Sequence, residues 1–208
     1  MHPSRQYQEP DHDQALQFIA AYPFATLVVN GDDGPVTALA PLTYEKDTHV
    51  IIGHVARANP FWRAAIHSPK AIALFRGPDA YVSPALYPSK GTHGKVVPTW
   101  NYIAVEVRGS VNIETNPEHM RRFLEPLMNL MESHRAVPWE ISDAPADYIE
   151  TLSKGIVGVT IGVEAITYVK KLSQDKSDND RLGVLNSFEA SGDDAEGRLV
   201  DAMRVTPT

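Results

Sequence analysis

Cysteine is absent from this chain of 208 residues. Its absence excludes disulfides, metal sites built on thiolates and thiol nucleophiles. Basic residues are also few, because 19 Lys and Arg stand against 26 Asp and Glu, for a net charge of −7. A protein that holds DNA through its phosphates needs a basic surface. The charge balance therefore disfavours direct contact with a duplex.

Long hydrophobic runs are missing as well. The most apolar stretch, residues 155–169, is too short to span a membrane and contains Glu164. The first 14 residues lack the apolar region of a signal peptide. We expect a cytoplasmic protein with no membrane association.

The length and the hydrophobic content of the chain fit a folded domain. The chain is 43% hydrophobic, and its length suits one domain with a terminal appendage. Residues 1–172 are expected to form the domain. Residues 173–208 are expected to form a polar C-terminal tail, richer in acidic than in basic residues, with one or two weak helices.

Apolar β-branched runs separated by turn signals predict a mainly β (α+β) protein with flanking helices. GDDG at 31–34 is a hairpin signal between the first two strands. Asn59-Pro60 and Asn116-Pro117 each indicate a helix start. The predicted strands are 24–30, 36–45, 49–55, 71–77 continued by 80–84, 99–114 and 155–172, and the predicted helices are 11–22, 61–67, 117–133 and 145–153. Six antiparallel strands with one helix between the third and fourth are typical of a split β-barrel.

The stretch GHVARANPFW (53–62) is the strongest candidate site. A strand ends, an arginine follows and a capped helix begins, and helix starts favour anions. The planar guanidinium of Arg57 beside it can donate hydrogen bonds to two phosphate oxygens. The alternative is an ordinary strand–helix turn with a solvated arginine.

Aromatic residues cluster in two further stretches, GPDAYVSPALY (77–87) and VPTWNY (97–102). On a strand, Trp100 and Tyr102 share one face and Asn101 lies on the other. An indole is suited to packing against a planar ring, but aromatic residues are more often buried for packing.

None of the eight histidines forms an HExxH motif or a helical i, i+4 pair, so no metal site is predicted. The loop 88–96 lacks the spacing of a phosphate-binding loop, and neither GxSxG nor GxGxxG occurs. His54, near the strand–helix turn, and His93, in the long loop, could each ligate a haem iron, although a lone histidine is more often structural or exposed.

Five blocks occur together and in order: GHVARANPFW, GPDAYVSPALY, VPTWNY, KGIVGVTI (154–161) and KLSQDKSDND (171–180). In these blocks the chain resembles the PaiB family of negative transcriptional regulators. The resemblance implies a six-stranded split barrel of the FMN-binding type, similar to pyridoxamine-phosphate oxidases and flavin reductases. It also implies a homodimer with flavin sites at the dimer interface.

The resemblance further implies which residues would hold FMN. Arg57 would bind the phosphate with help from Asn59, and Trp62 and Trp100 would close the pocket, Trp100 from the second subunit. The second strand, which includes Thr37, Ala38 and Leu39, would lie along the isoalloxazine ring. Asn101, next to Trp100, completes the set.

Four functions follow as hypotheses. The chain is a flavin-binding regulator, a flavin-dependent oxidoreductase of a small molecule, a haem-binding split barrel, or a repressor that binds DNA directly. The negative charge places direct DNA binding last.

Overall fold

The computed structural model describes residue 1 and residues 4–206. This part of the chain contains seven strands and seven α-helices. The strands are β1 (Gln8–Glu9), β2 (Phe24–Gly31), β3 (Gly34–Glu45), β4 (Val50–Ala56), β5 (Lys70–Val82), β6 (Thr99–Glu114) and β7 (Ile156–Lys171). The helices are α1 (His12–Ala21), α2 (Phe61–His67), α3 (Ser89–His93), α4 (Arg121–Glu132), α5 (Ala146–Ser153), α6 (Asp178–Ser191) and α7 (Asp194–Val205).

The strands form one sheet in the order β1-β7-β4-β3-β2-β5-β6, and β6 pairs in addition with β7. The pairs β2–β3, β2–β5, β3–β4 and β4–β7 are all antiparallel. The six strands β2 to β7 therefore pair in a cycle, and β1 is attached to β7. This is the pairing that the split-barrel prediction requires.

The contacts divide the chain into two units. The first unit contains Met1–His12, Arg76–Val105 and Thr167–Thr208, and the second contains Asp13–Phe75 and Glu106–Ile166. The strands β5, β6 and β7 each continue from one unit into the other, so neither unit is a separate stretch of chain.

The core of the second unit follows from the alternation of its strands. Leu27 of β2 is fully buried and pairs with Ala38 of β3 on one side and Ala73 of β5 on the other. Large and small side chains thus face each other across the strands, which lets the layers interdigitate. Phe61 of α2 and Ile19 of α1 are also fully buried in this unit.

A glycine lets α4 lie against the sheet. Phe123 of α4 clusters with Met120 and Ile52, and a Cβ at Gly158 would come within 2.5 Å of the Phe123 ring. Only a residue without a side chain permits this approach. Gly158 is the second glycine of the KGIVGVTI block, so that block has a packing role here.

In the first unit, α6 is hydrogen-bonded to the segment that follows β5. Asp180 is 7% exposed and accepts hydrogen bonds from the backbone N–H and the Oγ of Ser89, at 3.0 and 2.8 Å. A Cβ at Gly183 would lie 2.2 Å from the carbonyl oxygen of Leu86. The KLSQDKSDND block therefore anchors the start of the tail through its last residue, Asp180.

The structure agrees with the predicted order of elements and differs in detail. The two-residue strand β1 was missed, because a run this short carries no periodic signal. The expected loop contains α3, and the tail forms two helices of 14 and 12 residues. Ser177 and Asp193 cap these helices with side-chain hydrogen bonds, which is the signal that defines their starts.

Replacing Asp180 by alanine is expected to destabilise the protein. The change leaves two donors of the Ser89 region without their acceptor, which costs about 1–3 kcal/mol of unfolding free energy. Urea denaturation measures the loss. Asp178→Ala, at an exposed position in the first turn of α6, is the control and should cost only a few tenths of a kcal/mol. Equal effects of the two changes would contradict the anchoring role of Asp180.

Candidate functional site

Arg57 follows β4 and joins three segments of the second unit. Its backbone N–H donates to the carbonyl oxygen of Gly155 at 2.8 Å. Its Nε donates to the carbonyl oxygen of Lys154 at 2.8 Å. Its Nη2 donates to the carbonyl oxygens of Thr115 and Ile156, at 2.8 and 3.0 Å. Two of the three guanidinium nitrogens are thus used to hold the fold.

The other polar groups of this turn are engaged in the same way. The Oδ1 of Asn59 accepts from the backbone N–H of Phe61 at 2.8 Å, and the Nε1 of Trp62 donates to the carbonyl oxygen of Arg57 at 2.9 Å. The guanidinium of Arg63 lies 4.3 Å from the centre of the Trp62 ring. The groups predicted for a phosphate therefore stabilise the turn itself, and a phosphate contact stays a prediction.

The predicted ring-binding residues of β3 lie on two different faces. Thr37 and Leu39 are exposed, Leu39 to 65%, whereas the side chain of Ala38 is buried. Successive side chains of a strand point to opposite faces. A contact between Ala38 and a ligand on the exposed face would have to come from its backbone.

In the first unit, Trp100 is exposed and yet held in place. Its side chain is 48% exposed, and its Nε1 donates to the Oδ1 of Asp79 at 2.9 Å. The Oδ2 of Asp79 in turn accepts from the Nη2 of Arg76 at 2.9 Å. The ring of Tyr81 meets the indole edge-on, with 6.0 Å between centroids. We call these four residues the Trp100 cluster.

A cavity of about 310 Å³ lies beside the Trp100 cluster, with Arg76, Asp79, Trp100 and Tyr102 in its lining. The cluster thus combines a fixed aromatic face, a cation and open space. Aromatic faces and cations are the groups that bind planar anionic ligands.

Asn101 has a different place from its neighbour. It is fully buried, and its side-chain amide exchanges hydrogen bonds of 3.0 and 3.1 Å with the hydroxyl of Ser173. Ser173 has a φ of 62°, in the left-handed region, so this contact helps to hold a strained turn. In this unit Asn101 connects β6 with the segment after β7.

His54 and His93, the two histidines considered as haem ligands, have different surroundings. The Nδ1 of His93 accepts from the backbone N–H of Lys95 at 3.0 Å. The Nδ1 of His54 is buried and makes no hydrogen bond within the described part of the chain. Burial lowers the pKa of His54 below its usual value, which keeps the imidazole neutral at neutral pH.

The described residues contain neither a cluster suited to a metal ion nor a membrane-spanning helix. Outside positions 2, 3, 207 and 208, no group of three or more His, Asp and Glu side chains is arranged to hold a metal ion. Over the same residues, no helix is long and apolar enough to cross a membrane.

The sequence did not indicate Asp79 and Arg76 as site residues. Asp79 lies two positions before Tyr81 on β5, so alternation alone places both on one face. The shared face of Asp79 and Tyr81 could therefore have been predicted from the sequence. The contact of Asp79 with Trp100 could not, because it depends on how β5 and β6 pack against each other.

Comparison with known sequences gives a family. The family model described as "Putative FMN-binding domain" matches residues 1–165. An uncharacterised protein of Emericella nidulans is 34% identical over 182 residues, which cover 74% of this chain and 72% of that protein. The "Protease synthase and sporulation protein PAI 2" of Bacillus subtilis is 29% identical over 191 residues, which cover 91% of this chain and 89% of that protein.

Comparison with solved structures gives the fold. The "FAD and Heme binding protein" from Mycobacterium smegmatis superposes with a TM-score of 0.58 at 13% sequence identity. The match covers 79% of this chain and 73% of that one. At this identity the likeness shows the fold alone, and the fold is the split-barrel type, as predicted.

Arg57→Ala is expected to lower the unfolding free energy by about 1–2 kcal/mol, because three backbone carbonyls lose a charged donor and only that of Ile156 is partly buried. Arg57→Lys should recover little of this, since an ammonium cannot copy the fork of a guanidinium. Urea denaturation measures both. Arg63→Ala, six residues further on and outside these hydrogen bonds, is the control. Unchanged stability of Arg57→Ala together with a loss of FMN affinity would instead support the phosphate role.

Proposed function

This chain belongs to the FMN-binding domain family that includes PaiB, and on that premise we propose that it is a flavin-binding regulator whose Trp100 cluster contacts the isoalloxazine ring. The fold supplies the general scaffold of flavin proteins. The Trp100 cluster supplies an aromatic face and a cation for the ring.

The observation that carries the proposal is that Trp100 is exposed and fixed at once. A tryptophan with about half of its surface in water gains little from burial, yet this one has its indole N–H bonded to Asp79, which Arg76 orients. An aromatic face held in one orientation loses less entropy when a planar ligand binds. A flat tricyclic ring is such a ligand.

A bound flavin would supply the redox chemistry itself. The chain's own contribution is to hold the ring with Trp100 and to keep Arg76 close to it. Since flavin chemistry needs few protein groups, an oxidoreductase is the other function within this class. Oxidation of NAD(P)H by the flavin-loaded protein would support it.

We propose that any negative regulation of transcription acts through a partner or through ligand state, without contact to the duplex. The net charge of −7 repels a polyanion, and non-specific DNA affinity depends on cations that neutralise phosphates. A cytoplasmic location belongs to this proposal and stays a prediction from the sequence.

Haem is less well supported than flavin. His54 has a buried nitrogen without a partner, but none of the seven residues that line the cavity beside it is a Lys or an Arg. A haem carries two propionates, and carboxylates are bound by basic side chains.

We further propose that a second copy of the chain covers the outer face of β2 and β3 in the second unit. Phe24 is 61% exposed and Leu39 65%. Leu39 pairs with Thr26, and Phe24 pairs with Pro41, so these four side chains share one face. Contiguous exposed apolar surface of this kind marks an interface, and a homodimer is the assembly expected for this class.

Trp100→Ala should weaken FMN binding about tenfold. Loss of an aromatic stack and its buried area costs on the order of 1–2 kcal/mol, and each 1.4 kcal/mol is a factor of ten in Kd. Isothermal titration and the visible absorption spectrum of the flavin measure the affinity.

The matched control is Trp139→Ala. Trp139 is 44% exposed but lies in the other unit, outside the Trp100 cluster. Its removal should leave FMN affinity unchanged. If wild-type protein failed to bind FMN, or if both variants lost affinity equally, the proposed role of Trp100 would be rejected.

Leu39→Glu is expected to convert a dimer into a monomer, because it places a charge in the centre of the proposed interface. Light scattering after size exclusion gives the mass. Ile66→Glu, on α2 and 55% exposed, is the control and should remain dimeric. A monomeric wild type, or a dimer that tolerates Leu39→Glu, would disprove this interface.

A further inference from the structure

A second cavity lies in the second unit, on the face of β4 that α4 and α5 cover. It measures about 410 Å³ and is lined by His54, Leu124, Ile149, Leu152, Ser153, Gly155 and Ile156. Cavities of 300–1,000 Å³ are typical of small-molecule sites. Four of the lining side chains are aliphatic, which favours a largely apolar ligand.

The position of His54 in this cavity follows from the strand. Ile52 packs against Met120 and Phe123, and His54 lies two residues further along β4 on the same face. Here the imidazole faces the cavity, which Leu124 of α4 also lines.

The imidazole of His54 and the hydroxyl of Ser153 are the polar side-chain groups in this apolar lining. The Nδ1 of His54 is buried and has no hydrogen-bond partner among the described residues, and such an atom is costly to leave unsatisfied. Because Nδ1 has almost no accessible surface, a ligand hydroxyl reaches it when the ring turns about its Cβ–Cγ bond and brings that edge to the cavity that His54 lines. The cavity is therefore expected to prefer a ligand with a hydrogen-bonding group over a pure hydrocarbon.

The chemistry of that polar group can be specified. A neutral imidazole has one N–H and one lone pair, and a hydroxyl can both donate and accept. A hydroxyl therefore matches either tautomer of His54, whereas an ether or a ketone matches only one. No side chain that lines the cavity is a Lys, Arg, Asp or Glu, so a charged ligand would be desolvated without a counter-ion.

We propose that this cavity, which we call the His54 pocket, binds an uncharged apolar molecule that carries one hydroxyl group, and that the hydroxyl bonds to the imidazole of His54. Such a compound is an effector candidate for a regulator. The pocket is separate from the Trp100 cluster, and the proposal does not depend on flavin binding.

The test uses three probes of nearly equal size and shape: 2-naphthol, naphthalene and 2-naphthoate. Each is titrated into the full-length protein at neutral pH and followed by ligand-observed NMR and by calorimetry. Naphthol is expected to bind best, naphthalene more weakly by about threefold to tenfold because it lacks the hydrogen bond, and naphthoate not measurably.

Two variants assign the binding to this pocket. His54→Phe keeps the ring shape and removes the polar atom, so naphthol should lose its advantage over naphthalene; exposed His134→Phe is the control. Ile149→Trp fills the pocket and should abolish binding of both compounds. Tyr148→Trp, at the neighbouring position of α5 and 57% exposed, should change neither. Thermal denaturation checks that each variant folds.

Several results would overturn the proposal. These are the absence of naphthol binding in the wild type, equal binding of naphthoate, or an unchanged naphthol preference in a folded His54→Phe variant. A haem titration is run alongside. A Soret shift that disappears in His54→Phe would assign the pocket to haem instead. Since FMN affinity is measured separately, failure here leaves the Trp100 proposal standing, and the reverse holds as well.

Discussion

The contact on which the second unit depends most is the one between the Arg57 guanidinium and the backbone carbonyls of Thr115, Lys154 and Ile156. Thr115 follows β6, Lys154 precedes β7 and Ile156 begins β7, all far from β4 in sequence. One charged group thus donates to three backbone acceptors, and the carbonyl of Ile156 among them is partly buried, where an unsatisfied acceptor is costly. The blocks GHVARANPFW and KGIVGVTI meet at this point, so a motif that resembles an anion site also has a structural explanation.

The first unit is held by three polar contacts of a similar kind. Asp180 receives two hydrogen bonds at Ser89, Asn101 is bonded to Ser173, and Asp79 orients Trp100. Each contact joins two of the five sequence blocks, or joins one block to the segment that follows another. Only the last one leaves a large aromatic face in solvent. That difference separates a contact that serves stability from one that prepares a binding surface, since stability alone would be better served by burying the indole.

Some features of the fold and the site could be read from particular residues. Asn-Pro pairs marked the helix starts near 60 and 117, GDDG marked the turn between β2 and β3, and the alternating apolar pattern gave β2 to β7 in the right order. The exposure of Leu39 beside buried Ala38 follows from alternation. The hydrogen bonds of Arg57 to backbone carbonyls could not be predicted from the sequence. An arginine at a strand end has the same sequence context whether its guanidinium binds a phosphate or three carbonyl oxygens.

The sequence alone determined the fold class and the charge balance, because periodicity, turn residues and composition are local or additive properties of the chain. The family followed from the resemblance of five ordered sequence blocks. It also determined the residue types from which a site can be built. Only the tertiary structure decided which of those residues are free to bind. Asn101 and Trp100 are neighbours in the chain, yet one is bonded inside the core and the other lies open beside a cavity. The same holds for His54, whose unpartnered nitrogen depends on how β4, α4 and α5 pack, a matter of contacts between residues distant in sequence.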